Sequence, residues 1–113
     1  MACEPGKPVP WINWAGNEYC YPSQRLAPTN DEQVAEALKQ AKGVVRAVGS
    51  SHSFSPVVPT DDTLVTTDLL SGLVSHDAEL NQAEVWAGTR LHDLGLILAG
   101  VGQALPNMPD MDY

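Results

Sequence analysis

The histidine at position 52 lies among small residues that directly follow a short apolar segment, in the stretch VRAVGSSHSFS (residues 45–55). An imidazole can act as a general base, a nucleophile or a metal ligand. Gly49 permits a positive φ and close approach to the backbone, and successive amides in such a turn can bind an anion. Three serines add hydroxyl donors: Ser50, Ser51 and Ser53. The stretch favours either a cradle for a diphosphate or an ordinary turn at the end of a strand.

Other kinds of catalytic site have weaker support in the sequence. His76 and His92 have no metal-like spacing to His52, and neither cysteine lies near it, so a zinc site is not expected. A Ser-His-Asp set can be written with Ser50, His52 and Asp61, but no feature of the sequence supports its geometry. The stretch matches neither the G-x-G-x-x-G fingerprint nor a P-loop. Residue types alone leave the role of His52 open.

A helix is predicted between Leu26 and Gly43, ahead of the histidine stretch. Thr29 and Glu32 have the spacing of a capping box, and Gly43 can end the helix. Apolar residues at i, i+4 and i+7 predict one buried face, formed by Val34, Leu38 and Ala41.

Strands and a second helix are predicted in the rest of the chain. The strands are expected at residues 44–48, 64–69, 72–77 and 83–87, with Asn81 in the turn of a final hairpin. The second helix is expected within residues 88–102, with Thr89 as its cap and with Leu91, Leu94 and Leu98 on one face. This order of elements predicts an α+β domain.

The composition limits the classes of partner. The chain has 113 residues, enough for one domain, and a net charge of −8. This charge disfavours nucleic acid and anionic membranes, but backbone amides can still bind a phosphate locally. The sequence has neither an apolar run long enough for a membrane span nor a secretory signal, so a cytoplasmic location is expected. Cys3 and Cys20 allow one disulfide bond or two reduced thiols.

Several segments occur in the order found in one group of flavoproteins. VRAVGSSHSFS resembles the flavin-attachment segment of the vanillyl-alcohol-oxidase superfamily, whose FAD-binding domain is of the PCMH type. More narrowly, INWAGN (residues 12–17) and residues 25–41 resemble the start and first helix of its sugar-lactone and alditol oxidases. Residues 85–112 resemble the stretch before their second flavin-contacting segment. Only the first ten residues lack a clear counterpart.

The resemblance implies that this chain is the N-terminal part of an α+β FAD-binding domain. Backbone amides of Gly49 to Ser53 would wrap the FAD diphosphate, and His52 would carry a covalent 8α-histidyl link to the flavin. Ser51 stands where many members have glycine. Further contacts to the cofactor are implied for Arg46, Val48, Ser50, Ser53, Phe54, Pro106, Asn107 and Asp110, although some members have a small residue in place of Asp110.

The resemblance also implies an oxidoreductase that acts on CH–OH groups. A gulono-, galactono- or arabinono-1,4-lactone would lose a hydride to the flavin, and electrons would pass to oxygen or another acceptor. Oxidation of an alditol such as xylitol or sorbitol is the alternative, and a flavin-free, non-catalytic binding module is a further one. Residues 1–20 are expected to form an N-terminal arm and 21–113 an incomplete FAD-binding domain. The catalytic groups and the substrate domain are expected in the remainder of the protein, outside this chain.

Overall fold

The computed structural model describes residues 9–108, and the chain divides into two compact units, residues 1–67 and 68–113. Both helices and strands are present, which confirms the predicted α+β class. Residues 1–8 of the expected N-terminal arm (residues 1–20), which include Cys3, lie outside the described residues, as does Asp110. Neither helix in the described part is long and apolar enough to cross a membrane.

The first unit contains a three-stranded parallel sheet. Its strands are β3 (Gln24–Leu26), β4 (Val45–Val48) and β5 (Thr63–Thr66), in the order β3-β5-β4. Helix α1 (Asp31–Gln40) connects β3 to β4, as parallel strands require a crossover. The strand predicted at residues 64–69 corresponds to β5, which is shorter and ends at Thr66. Leu69 lies in the turn that follows and is exposed. All three strands end at the same edge, and Gly49 follows β4 at that edge.

Helix α1 differs from the prediction in its cap and in its buried face. Asn30 is the N-cap, and its Oδ1 accepts a hydrogen bond from Gln33 N at 2.8 Å. The Gln33 side chain accepts one from Thr29 N at 2.7 Å, so the Thr29–Glu32 capping box was wrong by one residue. No residue of α1 is buried, and Leu38 is 57% exposed. The predicted buried face is therefore wrong, because Val34 and Ala41 are only half-buried and Leu38 is exposed. The side of α1 that borders an open groove with Leu26 and Pro28 is mostly polar and carries Gln33, Glu36, Ala37 and Gln40.

A short hairpin supplies much of the core of the first unit. Strands β1 (Trp11–Ile12) and β2 (Tyr19–Cys20) pair antiparallel. Side chains from the hairpin, the sheet and the connection between β4 and β5 form one cluster, with Val48 packed against it: Trp11, Cys20, Val58 and Leu64. Cys20 is a buried free thiol. The hairpin is thus attached to the parallel sheet by burial of its two inward side chains.

The second unit consists of a hairpin and a helix. Strands β6 (Leu73–Asp77) and β7 (Gln82–Val85) pair antiparallel, and Asn81 has φ of 52° in their turn, as predicted. Helix α2 (Leu91–Gly100) buries Leu94 and Leu98, which confirms the predicted face, while Leu91 is half-buried.

Thr89 does not cap α2, because Arg90 is the N-cap and makes no side-chain capping bond. The Thr89 hydroxyl instead donates to Trp86 O at 2.6 Å and accepts from Gly72 N at 3.0 Å. The residue predicted to start the helix therefore fixes the end of the hairpin.

Gly43 occupies a turn that no other residue fits without strain. Its φ is 79°, and a Cβ at this position would clash with Asp62 Oδ2 and lie 2.7 Å from Asp62 Cγ. The same oxygen accepts a hydrogen bond from Val44 N at 2.8 Å. The turn that leads into β4 is therefore set jointly by Gly43 and Asp62.

We expect Gly43→Ala to lower the free energy of unfolding by about 2–3 kcal/mol, because it forces a left-handed alanine and displaces the Asp62 carboxylate. Gly95→Ala is the matched control, since Gly95 lies within α2 and has nothing within 4 Å of its Cβ position. That variant should raise stability by up to ~1 kcal/mol. Urea unfolding of both variants tests the expectation, and an unchanged midpoint for Gly43→Ala would contradict it.

Candidate cofactor-binding loop

The candidate site is the His52 loop, defined as residues 49–55, at the carboxyl end of β4. Ligands of parallel sheets bind at this end of the strands. Gly49, Ser50 and Ser53 are exposed, His52 is half-buried, and nothing lies within 4 Å of the Cβ position of Gly49. The start of the loop is therefore open to close approach of a ligand.

The left-handed residue of the loop is Ser51, with φ of 65°, and not Gly49 as the sequence suggested. A residue with a Cβ adopts this conformation at a cost of about 1–2 kcal/mol. The position is the one where the resemblance places glycine in many members of the superfamily. Glycine there would adopt the same backbone without that cost.

The indole of Trp11 contacts the serine that takes the place of this glycine. Trp11 Nε1 donates to Ser51 Oγ at 3.0 Å, and Trp14 N donates to Ser51 O at 2.7 Å. Ser51 is therefore held by both its side chain and its backbone. The hydrogen bond from Trp11 offsets part of the cost of the left-handed conformation.

The two asparagines of the β1–β2 turn bind the backbone that follows His52. Asn13 Nδ2 donates to Ser53 O at 2.9 Å, and Asn17 Nδ2 donates to Phe54 O at 3.1 Å. Asn13 Nδ2 also donates to Asn17 Oδ1 at 2.6 Å, which links the two amides. Residues 11–17, here called the 11–17 turn, thus bind the loop both before and after His52.

An aromatic side chain of the same turn contacts His52 directly. The Trp14 and His52 rings meet edge to face with centroids 6.4 Å apart, and Trp14 meets Phe54 in the same way at 6.5 Å. Trp14 is 60% exposed and Phe54 is 64% exposed. The surface beside His52 is therefore aromatic and accessible.

The charge around the loop differs from that of the whole chain. From Ala37 to Thr60 the sequence contains no carboxylate, although the chain has 14 acidic residues. Three of its six Lys and Arg residues fall in that stretch: Lys39, Lys42 and Arg46. Cations and unopposed backbone amides favour an anionic ligand. The sequence around the loop is thus compatible with a diphosphate despite the net charge of −8.

Arg46 and Val48 lie on the strand that leads into the loop. Arg46 is exposed, and its Nη1 donates to Val57 O at 3.4 Å. Val48 packs against the core cluster of the first unit. Their contacts to a cofactor stay predictions.

The remaining predicted site residues belong to the second unit or fall outside the described residues. Pro106 and Asn107 are exposed in the second unit, after α2, and Asp110 is outside the described residues. The resemblance included residues 12–17 but assigned no role to Trp11, Asn13, Trp14 or Asn17. Little in the sequence indicated a role at the site for these residues, because asparagines in a short turn are common without any ligand.

The structure adds no support for the Ser-His-Asp set or for a zinc site. Asp61 Oδ1 accepts a hydrogen bond from Tyr21 N at 3.0 Å, so this carboxylate fixes the backbone ahead of β3. Within residues 9–108 no group of three or more His, Cys, Asp or Glu residues could hold a metal ion. The His52 loop therefore remains the best-supported candidate site among the described residues.

Comparison with known proteins identifies the family. The model of a family described as FAD binding domain matches residues 22–112. The chain belongs to this family. The match includes the whole His52 loop and begins after the 11–17 turn. It confirms the FAD-binding domain that the resemblance implied.

The relatives of this FAD-binding domain are named as lactone oxidoreductases. The chain is 35% identical over 105 residues to an L-gulono-1,4-lactone dehydrogenase of Mycobacterium tuberculosis, which covers 90% of the chain and 24% of the relative. It is 34% identical to an L-gulonolactone oxidase of Bos taurus with the same coverage. A D-arabinono-1,4-lactone oxidase of Kluyveromyces lactis is 34% identical over 85% of the chain and 20% of its own length. The chain spans about a quarter or less of these relatives.

The residues of the His52 loop are compatible with FAD. The open backbone at Gly49, the serine hydroxyls and the absence of nearby carboxylates in the sequence suit a diphosphate. The exposed rings beside His52 suit a flat, partly apolar group. The loop can thus supply both kinds of contact that a flavin dinucleotide requires.

We expect Ser51→Gly to be more stable than Ser51→Ala by about 1 kcal/mol, because only glycine avoids the cost of positive φ. Both variants lose the acceptor of the Trp11 indole, so this loss cancels in the comparison. Denaturant unfolding of the two variants measures the difference. Equal stabilities would show that the left-handed conformation at position 51 carries no cost.

Proposed function

We propose that this chain supplies the FAD-binding part of an oxidase or dehydrogenase that oxidises a carbinol carbon of a sugar-derived lactone. The observation that carries the proposal is the His52 loop, which is open at Gly49 and braced on both sides of the histidine. The names of the relatives, L-gulono-1,4-lactone dehydrogenase, L-gulonolactone oxidase and D-arabinono-1,4-lactone oxidase, support the substrate class.

The loop would bind the cofactor mainly through its backbone. Amides from Gly49 to Ser53 would face the diphosphate, and the hydroxyls of Ser50 and Ser53 could donate further hydrogen bonds. Arg46 would add positive charge on the strand before the loop. FAD would accept the hydride of the substrate, and the protein would hold and orient it.

His52 would hold the flavin covalently. The link would join one imidazole nitrogen of His52 to the 8α-methyl carbon of the flavin, with loss of the N–H proton and of one methyl hydrogen. The flavin ring would supply the two-electron acceptor that this bond formation requires. The half-buried position of His52 beside Trp14 supports this role, because the imidazole is held near the surface and not within the core.

The remainder of the protein would complete the site and supply the catalytic groups. The relatives are at least four times as long as the matched segment, since it covers 24% of them or less. Large apolar side chains are exposed in both units, among them Leu38 and Val57 in the first and Val74 and Leu96 in the second. No catalytic residue is assigned within this chain.

Alditol oxidation is the alternative reaction, since the same resemblance includes alditol oxidases and the substrate pocket is not assigned to this chain. A flavin-free binding module is the second alternative. The retained histidine and the absence of carboxylates around it favour the flavoprotein over such a module.

The covalent link predicts a clear result for His52→Ala in the intact protein that contains this chain. Flavin absorbance should stay with the acid-precipitated wild-type polypeptide and be lost from the pellet of the variant, because no other group would bond the methyl carbon. His76→Ala is the matched control, since His76 lies in the exposed strand β6. A colourless wild-type pellet, or retained flavin in His52→Ala, would contradict the link.

The substrate class predicts a preference among carbinol substrates. With L-gulono-, L-galactono- or D-arabinono-1,4-lactone, the bound flavin of the intact protein should be bleached under anaerobic conditions, as hydride transfer reduces it. Xylitol and sorbitol should reduce it at least tenfold more slowly. The reverse order would support the alditol alternative, and a protein that binds no flavin would support the non-catalytic module.

A further inference from the structure

The 11–17 turn is hydrogen-bonded to three carbonyl groups of the His52 loop. Ser51 O accepts from Trp14 N, Ser53 O accepts from Asn13 Nδ2, and Phe54 O accepts from Asn17 Nδ2. The oxygen of Ser51 belongs to the peptide group before His52, and the oxygen of Ser53 to the second peptide group after it. The backbone on both sides of the histidine is therefore fixed from outside the loop.

The side chains of the turn complete this arrangement. The indole of Trp11 donates to Ser51 Oγ, and the Trp14 and His52 rings meet edge to face. Trp11 is itself 8% exposed and part of the core cluster. The position of His52 is thus linked to the core of the first unit through Trp11 and Ser51.

The bonds within the turn leave little freedom to the asparagines. Asn13 is 4% exposed, and its Oδ1 accepts a hydrogen bond from Glu18 N at 3.1 Å. Its Nδ2 donates to Asn17 Oδ1 and to Ser53 O. All polar atoms of the Asn13 amide are therefore engaged. An asparagine with this set of partners can present its N–H groups in only one orientation.

We propose that Trp11, Asn13 and Asn17 are positioning residues that hold His52 for bonding to the flavin. This inference rests on the proposed covalent link at His52. A histidine that must meet one methyl carbon reacts fastest when its backbone and ring are already in place, since the cost of ordering them is met before FAD binds. The 11–17 turn precedes the residues that match the FAD-binding family, so the family match assigns it no role.

Asn17→Ala and Trp11→Phe test the proposal in the intact protein. Asn17 is exposed, so its replacement removes the bond to Phe54 O without opening the core. Trp11→Phe keeps an aromatic ring in the core and removes the donor to Ser51 Oγ, together with part of the volume of the indole. Asn30→Ala is the matched control, because it deletes an asparagine bond of similar length at the N-cap of α1, in the same unit.

The quantity measured is the rate of covalent FAD attachment to the apoprotein. It is read from the flavin fluorescence of the denatured polypeptide at several FAD concentrations. Each test variant should lower the maximal attachment rate about fivefold, the effect of one typical hydrogen bond. The FAD concentration at half-maximal rate should change less than twofold. Asn30→Ala should change neither value. Hydrogen exchange of the peptide that contains residues 49–55 should accelerate in the test variants only.

Each result decides between the possibilities. A maximal rate within twofold of the wild type in both test variants would overturn the positioning role while the covalent link stands. An equal loss in Asn30→Ala would mean that general destabilisation, and not the position of His52, controls attachment. If the wild type itself acquires no covalent flavin, the link at His52 is wrong and the positioning role fails with it.

Discussion

The hydrogen bond from Trp11 to Ser51 is the interaction on which the candidate site depends most. It joins a core side chain to the one left-handed serine of the His52 loop. Ordering each residue of a surface loop costs about 1–2 kcal/mol, while one hydrogen bond returns only about 1 kcal/mol. A loop that contains glycine and four serines among seven residues therefore needs several external bonds, and the 11–17 turn provides four of them.

The second constraint is electrostatic. An acidic chain would repel a dinucleotide if its carboxylates were spread evenly along the sequence. Here the acidic residues fall before Ala37 and after Thr60, and the segment between them carries Lys39, Lys42 and Arg46 together with neutral polar groups. The two carboxylates that follow, Asp61 and Asp62, accept hydrogen bonds from the backbone N–H groups of Tyr21 and Val44, respectively. The charge of the whole molecule and the charge of its candidate ligand site are therefore independent properties.

The sequence predicted the elements of this domain better than their contacts. The turn at Asn81 and the buried leucines of α2 followed from local residue patterns, and the His52 loop followed from its resemblance to a flavin-attachment segment. The buried face of α1 did not, because periodicity indicates which side of a helix is apolar and not whether anything in this chain covers it. The pairing of β3 with β5 and the asparagine bonds of the 11–17 turn join residues about forty positions apart, which no local pattern encodes. Ser51 shows the limit most clearly, since a serine gives no local signal of positive φ.

The order of strands in the parallel sheet also determines when that sheet can form. The central strand β5 is the last of the three in the sequence, and β3 and β4 make their ladders only with it. During synthesis, the chain must therefore extend past Thr66 before either earlier strand has a hydrogen-bonding neighbour. Contacts between such distant residues form slowly, because the intervening chain must close first. The parallel sheet at whose edge the His52 loop lies would therefore be completed only once β5 has been added.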